Sequence, residues 1–343
     1  MTRTISARTL ATGAAVSGGS GVLAGAALFA LLREEARAAR RRVEARTAKQ
    51  DPPSGNGIYG RPRRNGRGKP LVLAVLGDSS AVGLGVDRAE RTPGVLVAAA
   101  LTELAERPVR LVRLAVSGAV SRDLDQQVDL ALAEQPDVAL IMIGANDVTT
   151  LTRPAVSVRH LADAVRRLRA VGCEVVVGTC PDLGTIRPIG QPLRSFARRW
   201  SRQLAAAQTI AVVEAGGRTV SLASLLGPTF ASDRNMFSSD EFHPSAAGYA
   251  AAAAVLLPSV ADAVGVWPAA ERGRRPIRRE TVRPVARAAA RAANRPGTEV
   301  QATEVRGSDT GPRGRWALLR RRAPSEIPTP GQVAESTEES VAG

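Results

Sequence analysis

Lysine, histidine, cysteine and aromatic residues are all scarce in this 343-residue chain, and each scarcity closes off a class of function. The only two histidines, His160 and His243, stand 83 positions apart with no HExxH motif around either, so no metal-ligand cluster can be assembled and no metal or other cofactor is called for. Two cysteines are too few for a disulfide scaffold. Cys173 and Cys180 share one apolar run, and if that run is a strand rising about 3.3 Å per residue they stand roughly 23 Å apart, beyond the reach of a bridge. They are expected to be buried free thiols. Aromatic residues make up 3% of the chain, but 44% of it is hydrophobic, enough for one domain of ordinary size with flanking segments or for two small ones.

Of the 47 basic residues only Lys49 and Lys69 are lysines, and the net charge of +15 at first suggests a nucleic-acid binder. The distribution argues otherwise. Residues 1–32 carry a net +2, 33–69 carry +8, 269–323 carry +10 and 324–343 carry −4, leaving −1 for residues 70–268. The segment able to build a core is neutral, and its chemistry requires no polyanion. The arginine runs read as solvated or membrane-surface charge rather than a specific nucleic-acid site.

No charged residue occurs between Leu10 and Leu32, a run long enough at about 1.5 Å per residue to cross a hydrocarbon core of roughly 30 Å. A membrane anchor fits, and so does a removable signal peptide, because Ala24-Gly25-Ala26 has the character of a cleavage site. Arg33, Arg37, Arg40, Arg41 and Arg42 follow directly; if the run spans a membrane, they place the downstream chain on the cytoplasmic side. Residues 33 to about 49 read as a polar helix, and 51–69 as a Pro/Gly/Arg linker. The main domain is expected over 70–268, and the Arg- and Pro-rich tail with its acidic end, 269–343, is expected to be disordered. There is no internal repeat at solenoid periods.

Within the main domain, apolar runs alternate with helical stretches: LVLAVLG at 71–77, VRLVRLAV at 109–116, DVALIMIG at 137–144, CEVVVGTC at 173–180 and TIAVVEA at 209–215. Runs apolar on both faces and separated by helices imply an α/β fold with a covered parallel sheet. One crossover helix is predicted to start at Thr92-Pro93, and a closing helix runs from Pro244 to about Val264.

Functional groups in such folds collect at the carboxyl ends of the strands. The first strand ends in Gly77-Asp78-Ser79-Ser80, the second leads to Ser117-Gly118, the third ends in Gly144-Ala145-Asn146-Asp147, and Asp240-Glu241-Phe242-His243 precedes the last helix. A serine needs a base to take its proton, and that base needs a third group to orient it. His243 can be the base for Ser79, and Asp240, three residues away, can reach its Nδ1. Oxyanion donors are available in the N–H groups of Ser79 and Gly118 and the amide of Asn146. Asp78 and Asp147 read as turn-stabilising residues, and His160 as part of a solvated helix face. Val82, Leu84, Phe237 and Phe242 lie close enough in sequence to these groups to suggest an apolar acyl pocket.

These four blocks, in this order, resemble the SGNH hydrolase family, also called GDSL-type esterases and lipases, over about residues 71–262. The resemblance implies a three-layer α/β/α domain with a five-stranded parallel, flavodoxin-like sheet. It also implies Ser79 as nucleophile, His243 as base, Asp240 as its orienting acid, and Ser79, Gly118 and Asn146 as the oxyanion hole of an esterase acting on a small-molecule ester or lipid. Ser80 stands where the named motif has leucine. The α/β-hydrolase elbow is excluded, since Ala81 occupies its final glycine position. The competing function from another class is a membrane-anchored binding or scaffold protein without catalysis, which would need none of Ser79, Asp240 and His243.

Overall fold

A computed structural model describes residues 51–60, 69–186, 190–222, 233–267, 282–303 and 316–321, together with helical positions between 27 and 47. Most of the uncharged run 10–32 lies outside the described residues.

Five parallel strands form the centre of the molecule: β2 (Leu71–Gly77), β3 (Val109–Arg113), β4 (Val138–Met142), β5 (Glu174–Gly178) and β6 (Arg218–Val220). Their spatial order is β3-β2-β4-β5-β6, so the direction of winding reverses beside β2. A crevice opens at such a reversal, outside the carboxyl ends of the strands. Val138–Met142 is buried throughout, as a central parallel strand must be when helices cover both faces. On one face Leu73 and Val75 pack against α2 (Pro93–Ala105) and α7 (Ala246–Ala263). On the other, Ala74 and Leu76 meet α3 (Leu124–Ala133) and α5 (Pro154–Ala170), with Val212 of α6 (Leu193–Glu214) in the same cluster. Two one-turn helices sit at strand ends, α1 (Ser79–Val82) after β2 and α4 (Ala145–Thr149) after β4. Among the described residues, α7 alone is long and apolar enough to cross a membrane, and its burial in the core accounts for that composition.

The sequence placed the fifth strand at residues 209–215, and the structure corrects this. Those residues are the end of α6 and its C-cap Ala215, and the fifth parallel strand is Arg218–Val220 instead. A short apolar run has no period of its own that separates a buried strand from a buried helix. The buried positions Leu204, Ala205, Gln208, Thr209, Val212 and Val213 do recur at helical spacing once the helix is followed back to Leu193.

Part of the tail also departs from expectation. Residues 283–302 and 316–321 supply β7 (Arg283–Pro284), α8 (Val285–Ala292), β8 (Thr298–Ala302) and β9 (Trp316–Arg321), while β1 (Gly57–Tyr59) from the linker pairs antiparallel with β3. Among the described residues the sheet has nine strands, in the order β1-β3-β2-β4-β5-β6-β8-β9-β7, and is mixed rather than purely parallel. β8 pairs antiparallel with β6 and covers what would otherwise be an unpaired edge. Composition concealed a pattern: Val285, Ala288, Ala289 and Ala292 form an apolar helical stripe between arginines. Arg218 joins the tail to the domain, bonding Asp262 at 2.7 Å and lying 3.7 Å from the buried Glu299.

Candidate active site

Ser79 follows β2 directly, and the turn that presents it depends on Gly77. Gly77 has φ +133°, and a Cβ there would lie 1.9 Å from the carbonyl oxygen of Met142 on the neighbouring strand. Only glycine permits this approach. Gln127 of α3 clamps the same residue, its Oε1 accepting from Gly77 N–H at 2.7 Å and its Nε2 donating to Gly77 O at 3.0 Å. Asp78 caps α1 by accepting from Ser80 N–H at 2.9 Å. Burial pushes its carboxyl up to about 6 against that hydrogen bond. Asp78 thus stabilises the turn, in keeping with the sequence reading.

His243 comes to Ser79 across 164 positions of sequence, its Nε2 lying 3.0 Å from Ser79 Oγ, and its Nδ1 lies 2.6 Å from Asp240 Oδ2. The three residues are 7%, 6% and 2% exposed for Ser79, His243 and Asp240. Asp240 Oδ1 accepts from Ser238 Oγ and from the N–H groups of Phe242 and His243, so its loop is wound around its own carboxylate. Burial alone would raise this carboxyl. The hydrogen bond and charge of His243, with the backbone donors of His243 and Phe242, override burial and hold it well below the usual carboxylate range. An ionised carboxylate only accepts hydrogen bonds, so Nδ1 carries the ring proton and Nε2 presents its lone pair to the serine hydroxyl. The Phe242 ring stands edge-on to the imidazole at 4.8 Å and restricts its rotation.

The other two predicted residues face the same cavity. Gly118 has φ +85°, a conformation L side chains rarely adopt, and the space beside it is open. Asn146 is the second residue of α4 and donates from Nδ2 to Ala119 O at 3.0 Å. That amide has a second hydrogen, and Asn146, Gly118, Ser79 and His243 all line one cavity of about 330 Å³. Asp147 accepts from Ser121 N–H and Oγ and from Ser157 Oγ, tying the loop after β3 to α5. Burial raises its carboxyl against those bonds. Cys180 and Cys173 are free and buried as expected, and burial pushes both thiols up, that of Cys173 to about 12. His160 lies apart on α5, 3.5 Å from Asp125.

Of the four residues expected around an acyl group, Leu84 and Phe242 line the cavity. Val82 is instead fully buried in the main core, and Phe237 forms an isolated bridge with Pro244 at the base of the Asp240 loop. Sequence reasoning missed the buried glutamines. Besides Gln127, Gln208 of α6 accepts from Cys180 N–H at 2.7 Å and donates to Ile143 O at 2.9 Å, pinning the end of β4 beside β5. A glutamine at an apolar helix position was the available signal. Sequence reasoning read residues 33 to about 49 as a polar helix but missed that segment's place at the site, where Thr47 Oγ1 lies 2.9 Å from Asp240 Oδ2.

Residues 75–251 match the family described as GDSL-like Lipase/Acylhydrolase. A GDSL-like esterase of Mycobacterium tuberculosis is 47% identical over 222 residues, covering 62% of this chain and 71% of that one. Among solved structures, an acetylxylan esterase of Geobacillus stearothermophilus is 20% identical over 58% of this chain and 95% of its own, with a TM-score of 0.45. The structure of TesA is 25% identical over 58% of this chain and 100% of its own, with a TM-score of 0.43. The family match spans more than half of the chain and contains Ser79, Gly118, Asn146 and His243 at the cavity and Asp240 behind His243: the chain belongs to the GDSL-like lipase/acylhydrolase family, hydrolases of ester bonds.

Proposed function

We propose that the chain hydrolyses carboxylic esters through an acyl-enzyme on Ser79, with His243 as general base and acid and Asp240 as its orienting partner. The observation that carries this reading is the unbroken hydrogen-bonded sequence Ser79 Oγ to His243 Nε2 and His243 Nδ1 to Asp240 Oδ2, opening into an apolar cavity. Ser79 Oγ attacks the ester carbonyl carbon as its proton passes to Nε2. The tetrahedral oxyanion is held by the N–H groups of Ser79 and Gly118 and the free amide hydrogen of Asn146. The C–O bond to the alcohol breaks, the imidazolium returns its proton to the leaving oxygen, and water repeats the attack to release the acid and regenerate Ser79.

A fluorophosphonate probe tests the nucleophile: wild-type protein is labelled and Ser79→Ala is not. A folded wild-type chain that takes up no probe would end the serine-hydrolase reading. The oxyanion assignment predicts that Asn146→Ala loses about 10² to 10³ in kcat, roughly 2.7 to 4 kcal/mol of barrier, the size of one such donor. KM should change little, because the donor acts on charge that develops after binding. Wild-type turnover in Asn146→Ala would remove Asn146 from the hole.

A further inference from the structure

The cavity beside Ser79 is not built by the family domain alone. One wall comes from the N-terminal helical segment, which contributes Ala36, Ala39, Val43 and Thr47, all upstream of the residues 75–251 that match the family. The first three sit at i, i+3 and i+7, one face of a helix, and Ala39 and Val43 are each only 9% exposed. Beside them the lining includes Leu183, Leu193, Phe196 and Ala197, from the stretch after β5 and the start of α6, which share one apolar cluster with Ala36 and Ala39. Two contacts hold the segment in place at its end. The Thr47 hydroxyl, also 2.8 Å from Val43 O, lies 2.9 Å from Asp240 Oδ2, and Arg46 pairs with Glu241 at 3.1 Å.

We propose that Ala36, Ala39 and Val43 form the specificity-determining wall of the acyl pocket, and that the ester accepted carries an aliphatic acyl chain longer than acetyl lying against Ala39 and Val43. This inference rests on the esterase reading above and deepens it. A cavity of about 330 Å³ is within the range of roughly 300 to 1,000 Å³ usual for small-molecule sites, far more than the three heavy atoms of an acetyl group occupy. The polar side chains that line it are Thr47, Ser79, Ser117, Asn146, Thr149 and His243, and apart from Gly118 the rest of the lining is aliphatic or aromatic. The hydroxyls of a carbohydrate ester would find few partners in that lining beyond Thr47 and Thr149. An alkyl chain would exchange water for apolar contact at every methylene.

The test uses the full chain and compares kcat/KM for p-nitrophenyl octanoate and acetate. Wild type is expected to favour octanoate. Val43→Phe, which fills the wall, should lower the octanoate-to-acetate ratio at least tenfold, and Val43→Ala, which enlarges it, should move the preferred chain to greater length. Arg42→Ala, an exposed position on the same segment, should leave the ratio at its wild-type value. If Val43→Phe does not fold, as judged by loss of fluorophosphonate labelling, Val43→Ala carries the test alone. Ser79-dependent hydrolysis with a ratio unmoved by either Val43 variant, or a wild type that favours acetate, would overturn the inference while leaving the esterase reading intact. A wild type that hydrolyses neither ester would overturn both.

Discussion

Ser79→Ala and His243→Ala should each lower kcat for p-nitrophenyl esters by about 10⁶-fold, and the double variant should lose no more than either single one. The magnitude is that of breaking a serine–histidine unit in a serine hydrolase. Non-additivity is the sharper part of the expectation. Ser79 Oγ and His243 Nε2 are 3.0 Å apart and share one proton in flight. Without the base the hydroxyl is a poor nucleophile, and without the hydroxyl the base has nothing to activate, so the first deletion already forfeits what the pair contributes. Activity left in either variant comes from the oxyanion donors and from binding, which the second deletion does not touch. Steady-state kinetics on the four proteins of the cycle decides the matter. Losses that multiply would mean that the two residues act in separate steps.

Asp240→Asn should cost about 10⁴ in kcat with little change in folding, the loss seen when the orienting acid of such a unit is replaced by its amide. The reason lies in the direction of hydrogen bonds around one carboxylate. Oδ1 accepts from Ser238 Oγ and from the N–H groups of Phe242 and His243, and an asparagine carbonyl can take over that side and keep the loop closed. Oδ2 faces His243 Nδ1 at 2.6 Å, and there the asparagine would present N–H. Two donors cannot face each other, so the imidazole proton shifts to Nε2, where it blocks acceptance from Ser79. Asp240→Ala separates the two duties, since it should lose activity and also weaken the loop. Thermal melting beside kinetics reads both. An Asp240→Asn variant within tenfold of wild-type kcat would show that the carboxylate does not set the tautomer.

Much of this arrangement was legible before any coordinates. The strands at 71–77, 137–144 and 173–180 follow from apolar runs with polar ends, and the placement of Ser79, Gly118 and Asn146 at three strand ends follows from the α/β alternation. Asp240 and His243 were readable because a histidine is so rare in this chain and because three residues suffice to join the pair. Errors arose where composition was averaged or a short run judged in isolation. Residues 209–215 look like a strand until joined to the helical spacing that begins at Leu193. The tail is Arg-rich on average, yet every third or fourth position of 285–292 is apolar and buried.

The sequence by itself determined the family and the candidate residues of its chemistry: Ser79, Gly118 and Asn146 after the ends of parallel strands, and Asp240 and His243 just before the last helix of the domain. These are local or periodic properties, set by residue type, spacing and the alternation of elements. Only the tertiary structure decided that Gln127 and Gln208 clamp the strand ends, that β8 closes the β6 edge, and that the helical segment before the linker returns to wall the cavity and touch Asp240. Each of these is a contact between segments distant in the chain, and spacing within one segment carries no information about which surface that segment will cover.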